Sequence, residues 1–388
     1  MSFKGYLRED GSVGIRNYIG VIATVGCAND IVAAICAGSE TCAPFMHGQG
    51  CCQTKPDLDR VKKTLINLGC NPNLAAVILV GLGCESMKIE EIQAGISESG
   101  KPVYAVSARD HGGVSNAVSE AHNIVSRLEP NLRSAERVEY PDSQLVVGIK
   151  CGASDTTSGI IANPVTGKLV DIIIDEGGTC VFGETTEFIG AEHILAERAK
   201  DYAVEKRIYE FVKKMEQRAI AVGYDMRGGQ PAGGNIKGGI TTIEEKSLGA
   251  ISKSGSRKID DIREYGDRIT RKGLYAIDSP GREPELLTGL AAAGCQVIIF
   301  TTGLGTPHGF PFVPVIKITA NTKTHSNLSE YIDVFLDIDG PQKADNLDKM
   351  GSRLYEEVVH VANGSRTRSE IMKYGMFINN IYVLGPTL

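Results

Sequence analysis

The sequence predicts an α/β protein with two Rossmann-like domains built on mostly parallel, twisted sheets, and three observations lead there. Short apolar, β-branched runs end in glycine or a small residue; stretches with helical spacing of apolar residues separate them; and glycine is in excess, 45 of 388 residues, without low-complexity tracts. The first is the pattern of strands buried on both faces of a parallel sheet. The second supplies the crossover helices that strand–helix alternation requires. The third fits the tight turns and close backbone approaches between them.

Taken in order, residues Gly5–Asn17 read as a small hairpin turning at Asp10-Gly11 and feeding a strand over Tyr18–Val25. Leu58, Val61, Leu65 and Leu68, interleaved with Lys and Arg, predict a helix over Asp57–Leu68. Strands follow at Ala75–Val80 and Val103–Val106, with helices over Ile89–Glu98 and Val114–Leu128. The segment Glu129–Ser143 is polar and holds two prolines, which places a boundary between an N-terminal domain, 1–135, and a C-terminal domain, 140–388. The second domain opens with a strand at Leu145–Ile149. It continues with one or two helices in Ala191–Val222 and a glycine-rich segment, Gly228–Gly239, read as a structured loop, and has a strand at Gln296–Phe300.

Composition excludes several functions. A net charge of −6 with no Lys/Arg-rich block argues against a nucleic-acid partner, and the absence of Trp with only 6% aromatics removes base-stacking platforms. No apolar run reaches membrane-span length and the first twenty residues lack a signal-peptide core, so no membrane partner and a cytoplasmic location are expected. Ten cysteines in such a chain are expected to be reduced. Seven of them fall within 27–84, a clustering that core filling alone does not call for.

Three cysteines follow apolar runs: Cys27 after IGVIATVG, Cys84 after AVILVGLG and Cys151 after LVVGIK. Carboxyl ends of strands border the crevice of open α/β sheets, so these thiols are placed to converge. Between the first two lies His47-Gly-Gln-Gly-Cys51-Cys52. Imidazole with thiolate suits iron, zinc or an iron–sulfur cluster better than magnesium or calcium; the plainer reading is that small cysteines fill cores. The run Cys151–Gly159, with Ser154, Asp155 and then Asn163, suits binding a polyhydroxy or carboxylate ligand, though Asp155 equally suits a helix N-cap. Glu184 and Glu187, three residues apart, read as a base or metal-ligand pair, or as charges favouring a helix start. Lys246 can neutralise a substrate carboxylate, His308 sits in a Gly/Pro-rich turn where loops present catalytic groups, and Arg16 and Asn17 lie beside the first strand as ligand-binding candidates. No phosphate cradle or dinucleotide fingerprint is present.

The blocks GYLREDGSVGIRN (5–17), HGQGC (47–51), NPNLAAVILVGLGCE (71–85), KCGASDTTSGIIANPVTG (150–167), GETTEFIGAEHIL (183–195), GGITTIEEKSLG (238–249) and FTTGLGTPHGFPFVPVIKITANT (300–322) resemble the altronate/galactarate dehydratase family in order along nearly the whole chain. The resemblance implies a hydro-lyase using Fe²⁺ (or Mn²⁺) that converts an aldonate or aldarate to a 2-keto-3-deoxy acid. It also implies a partner: full-length members carry a small N-terminal domain, so a separate small subunit supplying it, and an oligomer, are expected. The same blocks resemble the large subunit of the two-subunit sulfolactate sulfo-lyase, which expels sulfite. On this footing the expected metal is held by some of Cys27, His47, Cys51, Cys84 and Cys151. Glu184 or His308 is the base and His47, if not a ligand, the acid. Arg16, Ser154, Asp155, Asn163 and Lys246 orient the sugar acid. An iron–sulfur dehydratase and a non-catalytic sugar-acid-binding subunit are the alternatives.

Overall fold

A computed structural model of the protein describes residues 2–338, 346–375 and 379–388. It contains two parallel sheets. The smaller has four strands in the order Cys42–Phe45, Tyr18–Ala23, Leu74–Gly81, Val103–Ser107, every pair parallel. The larger has seven, in the order Ile259–Arg263, Gly273–Ile277, Thr179–Phe182, Val146–Gly152, Val297–Thr302, Val315–Thr319, Val334–Phe335, again all parallel.

Alternation of side chains along each strand explains how both sheets are covered on two faces. In the small sheet, Ile19, Val21, Ile78 and Val80 pack against the helices Asn29–Cys36 and Val114–Ser134, while Ile22, Val77 and Leu79 pack against Lys55–Gly69 and Ile89–Ser97. In the large sheet, Val147, Ile149, Val297 and Ile299 share a core with Asn163–Asp175, Tyr202–Ile220 and Leu347–Ala362. The opposite face, through Val181, Ile298 and Phe300, joins the core that holds Lys55–Gly69. The helix Glu283–Ala292 lies in that shared layer with residues 284–292 all buried, Glu285 and Thr288 included.

Two fully buried amides tie the sheets together. Asn71 donates to the carbonyls of Ala291 and Cys295 at 2.8 and 3.0 Å. Asn73 donates to those of Gln296 and Phe312 at 2.8 and 2.9 Å and accepts from the Ile15 amide at 2.9 Å. The Asn-Pro-Asn run is thus a clamp that satisfies backbone groups between the sheets.

The polar stretch between the expected domains is ordered differently from a loop. The helix Val114–Ser134 continues through Pro130, and Val138–Pro141 pairs antiparallel with Ser2–Leu7. Ser2–Leu7 also pairs with Val13–Gly14 across the Asp10-Gly11 turn, as the hairpin pattern predicts. The stretch 191–222 forms two helices, Glu192–Glu197 and Tyr202–Ile220, and the glycine-rich segment carries the short helices Met226–Gly229 and Gly233–Lys237. Among the described residues no helix is long and apolar enough to cross a membrane.

Candidate active site

A cleft of about 470 Å³ opens at the carboxyl end of the large sheet, lined in part by Cys151, Ser154, Glu187, Gln230, Asn235, Lys246, Arg282 and Glu283. Its floor is a fully buried charge network. Lys150 and Cys151 are successive residues of the central strand Val146–Gly152, so their side chains leave on opposite faces. Glu184 bridges the strand end. One carboxylate oxygen accepts from Lys150 Nζ at 2.9 Å; the other accepts from the Cys151 amide at 3.0 Å and from Lys253 Nζ. To reach across, Glu184 adopts a left-handed backbone, φ 72°, a conformation that costs an L-residue about 1–2 kcal/mol and is held only where the surroundings over-determine it.

Lys253 donates not only to Glu184 but also to Glu187 Oε2 and Cys151 Sγ, each at 3.2 Å. Three short-range partners consume all three ammonium protons. The loop Ser252–Ser254 that carries it lies so close to the helix Asn163–Asp175 that a Cβ on Gly167 would meet the Ser252 carbonyl oxygen at 2.3 Å. The Cys151 thiol donates to Glu187 Oε2 at 2.9 Å, and Lys246 Nζ lies 3.5 Å from Glu187 Oε1.

The electrostatics follow from burial and pairing. Burial would push the Glu187 carboxyl up, but the Lys253 and Lys246 ammoniums hold it down at about 2. Burial likewise opposes the charge on Lys253, yet the surrounding Cys151, Glu184 and Glu187 keep its pKa well above the ordinary lysine value. Burial, with Glu184 and Glu187 alongside, pushes the Cys151 thiol up, so it stays protonated. Glu187 is therefore an ionised carboxylate on the cleft wall, braced from behind by an ammonium and a neutral thiol.

Cys151, Glu184 and Glu187 are also, among the described residues, the group whose ligand atoms lie within 4.8 Å of one another, close enough to hold a metal ion. The Lys253 ammonium already occupies the centre of that set through its bonds to all three. The set could hold a metal ion only in place of this ammonium.

The structure brings together Cys151, Ser154, Glu184, Glu187 and Lys246 of the residues singled out in the sequence. Asp155 and Asn163 line an adjoining hollow of about 250 Å³ that shares Ser154 and Lys246 with the cleft. There Asp155 accepts from Thr157, Ser158 and Asn321, and Asn163 joins Thr301 to Gly249, so both fix loop geometry. Arg16 is consumed by a bidentate pair with Glu370 and by backbone carbonyls, and Asn17 by Arg8 and the Leu132 carbonyl. His308 is not among the residues lining the cleft.

The metal set expected from the sequence is divided. Cys27, Cys51 and Cys84 are exposed on loops of the small sheet, and Cys151 is buried in a strand of the large one. His47 has both ring nitrogens committed: Nε2 to the Ala23 carbonyl at 2.8 Å and Nδ1 to the Gln49 amide at 3.1 Å. Burial lowers its pKa to about 4, so it is a neutral histidine that braces its own loop.

Two family models match consecutive parts of the chain. Residues 5–133 match the second domain of D-galactarate dehydratase/altronate hydrolase, and residues 142–383 match the C-terminal domain of D-galactarate/altronate dehydratase. The chain belongs to the galactarate/altronate dehydratase family. It is a lyase of the altronate dehydratase type. It is 37% identical over 385 residues to the (2R)-sulfolactate sulfo-lyase subunit beta of Chromohalobacter salexigens, covering 97% of this chain and 96% of that one. It is 34% identical over 342 residues to the altronate dehydratase of Bacillus subtilis, covering 86% of this chain and 68% of that one. The galactarate dehydratase (L-threo-forming) of Escherichia coli is 31% identical over 385 residues, 94% of this chain and 73% of that one.

Sequence reasoning missed Lys253, Lys150 and Arg282 in this family member. A lone lysine reads as a surface residue, because lysine is almost never fully buried unless paired. The one available signal is Lys150 ending the apolar strand LVVGIK, where a charge marks a strand end facing a polar site.

Proposed function

We propose that this chain is the catalytic subunit of a lyase that removes the proton beside the carboxylate of a small polyhydroxy acid and expels the neighbouring hydroxyl as water, giving a 2-keto-3-deoxy acid. The observation that carries the reading is Glu187, an ionised carboxylate on the cleft wall flanked by Lys253 and Lys246. Glu187 is the base. Glu184 is fully buried, does not line the cleft, and has both oxygens held by Lys150, Lys253 and the Cys151 amide, whereas Glu187 lines the cleft.

A carboxylate with a pKa of about 2 is a weak base, so the carbon acid has to be made more acidic. Lys246 and Arg282, both lining the cleft, supply two cations for the substrate carboxylate and for the enediolate charge that develops when the proton leaves. Ser154, Gln230 and Asn235 offer polar contacts to hydroxyls. As Glu187 takes the proton its pull on Lys253 weakens, while Glu184 keeps the ammonium in place. Fe²⁺ or Mn²⁺, which the family resemblance implies, would supply Lewis-acid chemistry, but Lys253 fills the Cys151, Glu184 and Glu187 set that could hold it, and no step above depends on it.

A second reading keeps the same base and cations and expels sulfite instead of water. It is favoured by the sulfo-lyase subunit beta matching 97% of this chain at 37% identity. That relative also supports a partner subunit here, the small subunit expected from the family. The test is a panel of aldonates, aldarates and (2R)-sulfolactate, given to the chain alone and with a candidate small subunit, with 2-keto acid and sulfite both measured. Release of 2-keto acid from an aldonate or aldarate without sulfite supports dehydration; sulfite supports the second reading. Binding without turnover of any substrate, with or without the partner, contradicts both and leaves a binding subunit.

A further inference from the structure

The three remaining strand-end thiol loops converge on a place of their own. The loops after Tyr18–Ala23, Cys42–Phe45 and Leu74–Gly81 all leave the same edge of the small sheet, because these three parallel strands are neighbours. They carry Cys27, the Cys51–Cys52 pair and Cys84, and all four thiols are exposed, while Cys42, Cys70, Cys151, Cys180 and Cys295 are buried. The loops are bonded to one another: the Gly26 amide donates to the Gln49 carbonyl at 2.8 Å, and the Ser86 amide to the Gly50 carbonyl at 3.3 Å. A Cβ on Gly50, whose φ is +106°, would meet the Thr24 carbonyl at 2.4 Å. The Cys51 and Cys52 sulfurs are 3.6 Å apart, with Cys52 in a left-handed conformation, φ 53°.

The carboxylate of Glu85 and the imidazole of His47, carried on these loops, are already used. Glu85 accepts from the amides of Leu82, Gly83 and Cys84 and from the Thr24 hydroxyl, and His47 has both nitrogens bonded. Only sulfur remains, which selects a soft metal or an iron–sulfur cluster. A tetrahedral zinc with 2.3 Å bonds needs its sulfurs about 3.8 Å apart. Among the described residues no three of these thiols come within 4.8 Å of one another. A cluster of several irons spans wider-set thiolates.

We propose that Cys27, Cys84 and the Cys51–Cys52 pair form the ligand set of an iron–sulfur cluster on the small sheet, separate from the charge network at Lys253. The site borders the cleft: Arg282 lines both the cleft and a hollow walled by His47 and Gly48. The assignment does not rest on Glu187 being the base, and its test reads metal content and thiol protection instead of turnover.

The full chain, purified without oxygen and reconstituted with ferrous iron and sulfide, is expected to turn brown and hold iron and acid-labile sulfide in equal amounts, about two to four of each per chain. Cys27→Ser, Cys84→Ser and the Cys51→Ser/Cys52→Ser double variant should each lose at least three quarters of the bound sulfide, while Cys151→Ser keeps it. Alkylation followed by mass spectrometry on the unaltered chain should show Cys27, Cys84 and at least one of Cys51 and Cys52 protected after reconstitution; this readout does not depend on any variant folding. Absence of bound sulfide, stoichiometric zinc in its place, or equal labelling of these thiols before and after reconstitution would each overturn the proposal.

Discussion

Cysteine stands at or just past the carboxyl end of a parallel strand in both sheets, and the two settings are opposites. In the large sheet Cys151 is buried among Glu184, Glu187 and Lys253, protonated, and acts as a hydrogen-bond donor to the carboxylate on the cleft wall. In the small sheet Cys27, Cys51, Cys52 and Cys84 are exposed. The difference teaches that a strand-end thiol is not one kind of site. What decides its chemistry is whether neighbouring segments deliver an amine and carboxylates, as the Ser252–Ser254 loop and the Glu184–Glu187 turn do, or only more thiols.

Several measurements would break or sharpen that contrast. The largest effect is expected for Lys253→Met, which leaves Glu184 and Glu187 without their shared ammonium. Loss of one partner of a buried pair costs about 3–5 kcal/mol, readable as a lower urea midpoint, and turnover should vanish with it. An unchanged midpoint would mean the network is not a unit.

Next come two effects of about 3 kcal/mol that belong to the scaffold and not to either thiol site. Asn73→Ala strands buried backbone groups of Gln296, Phe312 and Ile15, each costing about 1–3 kcal/mol when left unpaired. It should lower stability by about 3 kcal/mol in urea unfolding. His47 is neutral in the fold because burial lowers its pKa to about 4, whereas the unfolded chain takes up that proton near 6.5. Its contribution is therefore present above pH 6.5 and lost as pH falls through 4, at most about 3 kcal/mol over that window. His47→Gln should flatten the unfolding midpoint between pH 7 and pH 4.5 relative to the unaltered chain; equal slopes would place the proton elsewhere.

Gly167→Ala should cost about 1–3 kcal/mol by forcing the Ser252 carbonyl away, and should lower turnover because Lys253 moves with it. At the small end, Cys84→Ser on the exposed loop should change the stability of the metal-free chain by less than about 0.5 kcal/mol. A loss above 1 kcal/mol would show that this thiol is packed, not open.

Much of the fold was legible. Tyr18–Ala23, Leu74–Gly81, Val146–Gly152 and Val297–Thr302 are apolar runs that only a doubly covered parallel sheet explains, and they stand where periodicity put them. Pro130 misled, because a proline inside a helix removes one hydrogen bond but does not end a helix whose last turns are held by Leu128 and Leu132 against the core. The site was half legible. Cys151, Glu184 and Lys246 announce themselves as polar residues amid glycines, but Lys253 comes from a loop about a hundred residues further along, and no local pattern marks a lysine whose partners are supplied by other segments. His47 misled in the other direction: its HGQGC context resembles a ligand loop, yet its nitrogens bond the backbone of Ala23 and Gln49, a fate visible only once those segments touch.

The most direct test of the account is Glu187→Gln, which keeps the shape of the cleft wall and removes its charge. With whichever acid of the panel the unaltered chain turns over, exchange of the hydrogen beside the carboxylate with deuterium from solvent should be followed alongside product formation. The account predicts that both fall together by about 10²–10⁴-fold, with the urea midpoint close to that of the unaltered chain. Exchange at the unaltered rate in the folded variant would contradict it, because the proton would then be leaving to some other group.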